Sequence, residues 1–424
     1  MTRWIERWHP DDPDFWQRTG RSVARRNLIF SILAEHLGFT VWTLWSIVAA
    51  KLGSYAFSTD QLFWLVALPN LVGSALRLPY TFGPARFGGR NFTVASALLL
   101  LVPAIALAVA VSDPGTPYWM FLVIAATAGV GGGNFASSMA NISYFYPQSR
   151  QGAALGLNAA GGNVGVSSVQ LVMPLVIGAF GVAAAGWFWV PFILVAAGCA
   201  WFFMDNLSVA RSSAREQAAV AGNPQTWIMS LLYVGTFGSF IGYSTAFPLL
   251  ASSLFPGAAW QVVAFAGPLL GSLVRPLGGM LSDRLGGAPV TLWNFALMGG
   301  GVLLVWLAAA SGDFWLFFLA FQVLFLASGI GNGSTYRMIP AIFQALAGPG
   351  RLEYGKRQAS AAIGIISAVG AFGGFLINRG FGMSFAATGS PAAAFGAFAA
   401  FYAICFATTW WCYARTPELA LARV

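Results

Sequence analysis

The 424-residue chain is much more apolar than a soluble domain, with 58% hydrophobic and only 8% charged residues, against roughly 25% charged residues in soluble proteins. A net charge of +9 fits the basic cytoplasmic loops of a membrane protein and requires no nucleic-acid partner. Residues 1–26 carry Trp and Asp in place of a short apolar core, so we expect no cleavable signal peptide. The composition predicts an integral membrane protein.

Apolar runs of about 20 residues recur along the chain, each long enough to cross about 30 Å of hydrocarbon as a helix. We predict twelve transmembrane helices at residues 28–50, 61–82, 92–112, 117–143, 152–177, 182–204, 227–252, 258–281, 289–310, 315–343, 358–380 and 392–414. The predicted fold class is an all-α membrane protein of two pseudo-symmetric six-helix bundles. Its predicted parts are an N-terminal segment (1–26), a bundle (27–205), a linker (206–226), a second bundle (227–414) and a tail (415–424).

The basic residues predict the orientation of the chain. The N-terminal segment, the even-numbered loops and the tail hold 17 of the 22 Lys and Arg residues, whereas the odd-numbered loops hold only Lys51 and Arg379. Basic residues favour the cytoplasmic side, so both termini should be cytoplasmic. We expect the N-terminal segment either to lie on the membrane surface through its tryptophans or to be disordered.

A repeat relates the two halves at a distance of 198 residues. Gly73-Ser-Ala-Leu-Arg77, followed by Arg86-Phe-Gly-Gly89, matches Gly271-Ser-Leu-Val-Arg275, followed by Arg284-Leu-Gly-Gly287. Each copy places one arginine inside an apolar span, and two such charges facing each other across a shared axis would hold an anion. The alternative for Arg77 is that its side chain extends to the cytoplasmic interface.

The glycine pattern repeats as well. Gly129-Val-Gly-Gly-Gly133 matches Gly329-Ile-Gly-Asn-Gly333 at a distance of 200 residues, and three glycines of the fifth span match three of the eleventh at 208. Repeated halves of the same orientation imply a pseudo-twofold axis along the membrane normal.

Several motifs resemble those of known transporters. The segments at 83–90 (GPARFGGR) and 279–286 (GMLSDRLG) resemble the loop motif that follows the second and eighth helices of the major facilitator superfamily. The segments at 131–143 (GGGNFASSMANIS) and 154–166 (ALGLNAAGGNVGV) resemble the nitrate signature of the nitrate/nitrite porter family, and 362–374 resembles its second signature. The chain is thus identified as a member of this family, which implies the major facilitator fold.

The resemblance also implies a substrate site. Arg77 and Arg275 stand where the family has its two substrate arginines, and Asn163 matches a polar residue that the family places against the anion. Nitrate is planar and singly charged, and the planar fork of guanidinium suits it better than an ammonium group does. The residues that match aromatic walls or gates of the pocket are Phe39, Phe135, Tyr233 and Phe237.

The signature glycines are a further part of the predicted site. They are Gly131, Gly132, Gly133, Gly161, Gly162, Gly165, Gly370, Gly373 and Gly374. Their simplest role is close helix packing. We expect Gly161, Gly162, Gly370 and Gly373 to lie where the two bundles meet.

The implied function is transport of nitrate and nitrite across the inner (cytoplasmic) membrane by alternating access, as nitrate/nitrite exchange. The alternative is nitrate/proton symport, for which Glu35 and His36 in the first span are the possible coupling residues. These two side chains can equally serve to bond and pack against neighbouring helices. A non-transporting anion sensor would be expected to carry a signalling domain, which this chain does not show.

No enzymatic pattern accompanies these features. The two histidines, His9 and His36, belong to no metal-binding or triad motif, and the three cysteines have no metal-like spacing. We expect neither a metal nor a cofactor, and a protein that functions in the lipid bilayer as a monomer.

Overall fold

The computed structural model describes residues 4–210, 214–348 and 350–415. Eleven helices in this part are long and apolar enough to cross a membrane. They are α1 (Pro13–Lys51), α2 (Thr59–Phe87), α3 (Gly89–Ala110), α4 (Tyr118–Phe145), α5 (Gln148–Phe180), α6 (Ala184–Phe203), α8 (Trp260–Leu285), α9 (Gly287–Ser311), α10 (Phe314–Ala347), α11 (Tyr354–Thr388) and α12 (Ala392–Ala414). The predicted all-α membrane fold is confirmed.

The seventh predicted span is helical but too polar to be counted with these eleven. It forms α7 from Pro224–Tyr233, a π-helical turn at Val234–Gly238 and Ser239–Leu254. Asn223 caps its start by accepting a hydrogen bond from the Gln225 amide at 2.9 Å. Every residue from 235 to 251 is buried, so this helix packs against protein on all sides and needs no apolar face for lipid.

The chain divides into two compact units. Unit 1 comprises residues 1–54 and 68–214, and unit 2 comprises residues 55–67 and 215–424. Unit 2 therefore includes the first turns of α2. The predicted boundaries of the bundles, linker and tail stay predictions, and Arg211 in the linker and residues 416–424 in the tail lie outside the described residues.

The N-terminal segment is folded onto unit 1. Trp4–Ile5 (β1) pairs in parallel with Asn206–Leu207 (β2), and the Asp12 side chain caps the short helical turn Pro13–Phe15. Trp8 and Trp16 are only 5% and 7% exposed and pack with Phe145 and Leu207. The expectation of disorder is therefore wrong for the described residues, and Trp8 and Trp16 are inside a protein cluster. A position of the segment at the membrane surface stays a prediction.

Arg379, at the outer end of the predicted eleventh span and counted there with the odd-numbered loops, lies inside a helix. The helix α11 continues past it to Thr388. Its guanidinium forms an ion pair with Asp60 at 2.8 Å and lies 3.9 Å from the centre of the Trp64 ring. All three residues belong to unit 2, so the ion pair fixes the start of α2 against α11.

Candidate functional site

Arg77 is completely buried in unit 1, ten residues before the end of α2. Its Nε donates a hydrogen bond to the Gly132 carbonyl oxygen at 3.2 Å. Its guanidinium carbon lies 4.5 Å from the centre of the Phe135 ring and 5.6 Å from that of Trp42. These contacts place the charge inside the protein, so the side chain does not extend to the cytoplasmic interface.

Glycines allow the close helix packing around Arg77. A Cβ atom on Gly132 would lie 2.7 Å from the Trp42 ring and 2.9 Å from the Gly73 Cα, tighter than real Cβ contacts. Because α1, α2 and α4 meet at Gly132, its carbonyl comes within reach of Arg77. A Cβ atom on Gly131 would collide with the Gly38 carbonyl oxygen, and one on Gly133 would lie 2.7 Å from the Tyr80 ring.

Phe39 and Asn163 complete the predicted residues of unit 1. The Phe39 ring is fully buried and lies 6.2 Å from Phe135, centre to centre. Asn163 is 1% exposed, and neither atom of its amide has a hydrogen-bond partner among the residues that the structure describes. An unsatisfied buried polar group costs about 1–3 kcal/mol, so the amide of Asn163 is available to a ligand.

Arg275 holds the corresponding position in unit 2 and has fewer partners. It is 8% exposed, and its Nη2 donates to the Tyr233 hydroxyl at 3.4 Å. Its Nη1 has no hydrogen-bond partner within the described part of the chain. Tyr233 in turn stacks on Phe237, with ring centres 5.3 Å apart. The three predicted residues of unit 2 thus form one group with an available donor.

Two aromatic residues of the site were missed from the sequence. Trp42 flanks Arg77, and the guanidinium carbon of Arg275 lies 5.5 Å from the centre of the Tyr336 ring. Trp42 could have been found because it follows Phe39 by three residues and so shares a helix face with it. Tyr336 gives no such signal, since the corresponding residue at the repeat distance of 200 is Ala136.

The packing repeats between the two units. A Cβ atom on Gly162 would lie 2.8 Å from the Glu35 carboxyl carbon, and one on Gly370 would lie 3.1 Å from Cγ of Tyr233. Glu35 and Tyr233 are separated by 198 residues, the same distance as the two arginines. Glu35 therefore occupies in unit 1 the place that Tyr233 occupies in unit 2.

The signature glycines of α5 and α11 pack within their own units. Gly161 and Gly162 lie against Ile32 and Glu35 of α1. Gly370 lies against Tyr233, and a Cβ atom on Gly373 would be 2.7 Å from the Gly238 Cα. These contacts join α1 to α5 and α7 to α11 within each unit, and the expectation that these four glycines lie where the bundles meet stays a prediction. Gly165 follows the same pattern, against His36 and Phe39, and the Gly374 carbonyl accepts a hydrogen bond from Asn378 at 2.8 Å.

Glu35 and His36 bond to neighbouring helices. The buried Glu35 carboxylate accepts hydrogen bonds from Ser138 Oγ at 2.5 Å and from Asn158 Nδ2 at 2.7 Å. His36 Nδ1 lies 3.1 Å from the Gly161 carbonyl oxygen. These bonds link α1 to α4 and α5, and a part of either residue in coupling stays a prediction.

Comparison with known proteins identifies the family. The sequence profile described as Major Facilitator Superfamily matches residues 28–377. The chain is 44% identical to the "Nitrate/nitrite transporter NarU" of Salmonella typhimurium over 96% of each chain, and 39% identical to the "Probable nitrate/nitrite antiporter NarK2" of Thermus thermophilus over 97% of each. The chain belongs to the nitrate/nitrite porter family of the major facilitator superfamily.

A solved structure agrees with this fold. The porter aligns with a bacterial homolog of the human lysosomal transporter Spinster, in an inward-facing and unoccupied conformation, with a TM-score of 0.63. The alignment covers 96% of each chain at 17% identity, which shows the fold alone.

The buried groups of each unit have the chemistry of an anion receptor. Arg77 in unit 1 and Arg275 in unit 2 each bury a permanently charged guanidinium next to aromatic rings, where the low dielectric strengthens its attraction for an anion. Arg275 Nη1 and the Asn163 amide supply available donors. Among the described residues, no group of three His, Cys, Asp or Glu side chains is arranged to hold a metal ion.

Proposed function

We propose that this porter exchanges nitrate for nitrite across the inner membrane by alternating access. The observation that carries the proposal is the buried arginine at the same repeat position in each unit, with Nη1 of Arg275 lacking an acceptor. The names of its relatives, a nitrate/nitrite transporter and a nitrate/nitrite antiporter, support the same substrates.

In this proposal Arg77 and Arg275 both bind the anion, and Asn163 donates a further hydrogen bond. A guanidinium offers paired donors in one plane, which match two oxygens of a planar oxyanion. The aromatic residues, Phe39 and Phe135 in unit 1 and Tyr233 and Phe237 in unit 2, flank the flat anion and exclude water.

Exchange follows from the charge of the empty site. Each arginine inside the membrane costs about 2.5–3.5 kcal/mol on insertion scales, and an anion offsets part of this cost. The unloaded protein, with both arginines buried and no anion bound, should therefore change conformation slowly, whereas the protein loaded with either anion should change rapidly. Such a cycle moves one anion in for each anion out.

The orientation and assembly are part of the proposal. We place both termini in the cytoplasm, because 17 of 22 basic residues fall on the side that holds the termini. One chain carries both arginines, so a monomer in the lipid bilayer is sufficient for transport.

Nitrate/proton symport is the second candidate, and the buried carboxylate of Glu35 is the observation that favours it. A proton carrier would have to release and regain its proton in each cycle. The two hydrogen bonds that Glu35 accepts from Ser138 and Asn158 instead favour a fixed structural role for the carboxylate.

One assay separates the two candidates. Purified protein is reconstituted into proteoliposomes loaded with nitrite, and uptake of labelled nitrate is measured with and without a pH gradient, for the wild type and for Glu35→Gln. We expect exchange without a gradient, and we expect it to survive the substitution. Uptake that needs an inward proton gradient, with the need removed by Glu35→Gln, would establish symport instead. If nitrate is not taken up under any of these conditions, nitrate transport is refuted.

A further inference from the structure

Asn332 in α10 breaks the internal repeat. At the distance of 200 residues it replaces Gly132, the residue whose carbonyl accepts the hydrogen bond from Arg77. Unit 2 therefore has a polar side chain where unit 1 has none. The glycines on both sides of the position, Gly331 and Gly333, are kept as in unit 1.

The amide of Asn332 is buried without a partner. Asn332 is 1% exposed, and its side chain forms no hydrogen bond with any residue that the structure describes. Its neighbours are satisfied, because Ser334 is bonded to Thr291 at 2.8 Å and Thr335 to Thr236 at 3.0 Å. Buried amides are normally hydrogen-bonded, and one that is not calls for a ligand or a water.

The neighbours of Asn332 on α10 locate its side chain near Arg275. Residues three and four positions along a helix share a face with it, and these are Thr335 and Tyr336. Thr335 bonds to Thr236, the residue before Phe237. The Tyr336 ring lies 5.5 Å from the guanidinium carbon of Arg275. Asn332 thus lies on the helix face that packs against the predicted substrate residues of unit 2.

Unit 1 also has buried amides with an atom that lacks a partner among the described residues, including those of Asn134, Asn141 and Asn163. Of these, Asn163 of α5 is the one that the sequence assigned to the substrate site, and both atoms of its amide lack a partner. The position of α11 that corresponds to Asn163, at a distance of 208 residues, holds Ala371. Unit 2 therefore has no amide at this position of α11 and has Asn332 on α10 instead.

We propose that Asn332 donates a hydrogen bond to the bound anion and selects nitrate over nitrite. This proposal rests on the proposed function. Nitrate has three oxygens and nitrite two, so when the arginines engage two oxygens, only nitrate presents a third to an additional donor. Rotation of the amide by 180° exchanges its oxygen and nitrogen positions, so the NH₂ group can face the anion.

The test is Asn332→Leu, which keeps the side-chain size and removes the amide. The full-length protein is purified in detergent, and its melting temperature and its nitrate and nitrite affinities are measured by differential scanning fluorimetry and calorimetry. We expect an unchanged or higher melting temperature without anion, since an unsatisfied polar group is removed. We expect nitrate affinity to fall about tenfold, as for one lost hydrogen bond to a charged group, and nitrite affinity to fall less.

Asn378→Leu is the matched control. Asn378 is equally buried, but its Nδ2 donates to Thr245 Oγ1 at 2.7 Å and to the Gly374 carbonyl at 2.8 Å. Its substitution should lower the melting temperature and leave both affinities unchanged. If Asn332→Leu does not fold, Asn332→Gly, the residue of the other unit, replaces it in the test.

The outcomes separate this proposal from the proposed function. Unchanged nitrate affinity in a folded Asn332 variant would overturn the binding role, and equal losses for both anions would overturn the selectivity. A wild-type protein that binds neither anion would refute the proposed function itself.

Discussion

The close contact between α7 and α11 gives a sharp test of the helix packing at the site. In Gly373→Ala, the added Cβ would lie 2.7 Å from the Gly238 Cα and 3.0 Å from the Val234 carbonyl oxygen, whereas ordinary contacts begin at 3.4 Å. Both neighbours are backbone atoms and cannot rotate away. The helices must therefore separate by about 0.7 Å, the difference between 3.4 and 2.7 Å.

This separation should affect stability and transport together. Overpacking of this kind costs about 1–3 kcal/mol, offset in part by the gain of about 1 kcal/mol from replacing a helical glycine with alanine. Tyr233 precedes Val234 in α7, so its 3.4 Å contact with Arg275 changes as well. We expect a lower melting temperature and a loss of exchange of about tenfold or more, because one broken hydrogen bond to a charged group accounts for that factor.

Gly156→Ala is the control, measured in the same fluorimetry and proteoliposome exchange assays. Gly156 belongs to the repeated glycines of α5 but is exposed, and its added Cβ would meet no atom within 4 Å. It should keep wild-type exchange and melt at the same or a slightly higher temperature. Wild-type stability and exchange in Gly373→Ala would refute the reasoning, because the contact would then tolerate a methyl group.

Two further predictions concern arginines. Arg77→Lys should lower both the melting temperature and the nitrate affinity, because lysine loses the backbone hydrogen bond and the aromatic stacking of Arg77. Arg275→Lys should lower the nitrate affinity with little change in melting temperature. Equal losses of stability of the two variants in detergent would contradict this difference. Asp60→Asn and Arg379→Gln each break the ion pair at the start of α2 and should slow exchange in proteoliposomes. The charge-reversed double variant should recover part of the rate, and no recovery would show that the pair itself is not what matters.

Most of the fold could be predicted from the sequence, because a span in lipid must be long and apolar. The rule is weakest for a helix that touches little lipid, as α7 shows with its continuous burial from residue 235 to 251. The expectation of disorder in the N-terminal segment failed for its described residues, for a related reason. Composition places tryptophans at an interface, but it does not reveal that Trp8 and Trp16 pack on Phe145.

The site could be predicted in part. The repeat located both arginines, and the resemblance to the family supplied the aromatic residues and Asn163. Which side chains lack partners could not be predicted, because this depends on the neighbours in three dimensions. Nothing in the sequence therefore indicated that Asn332, inside a glycine motif, lacks a partner. The sequence also did not reveal that the nearest contacts of Gly161, Gly162, Gly370 and Gly373 lie within each unit.

The pairing of β1 with β2 has a consequence for how the protein is made. Trp4 pairs with Asn206, so this strand finds its partner only after the six helices between the two strands have been synthesised. Until then the indoles of Trp8 and Trp16 lack the Leu207 side of their cluster. During this time we expect them to lie at the membrane interface, which tryptophan side chains favour. Assembly of the first half of the porter is therefore completed late in its own translation, at a strand of two residues.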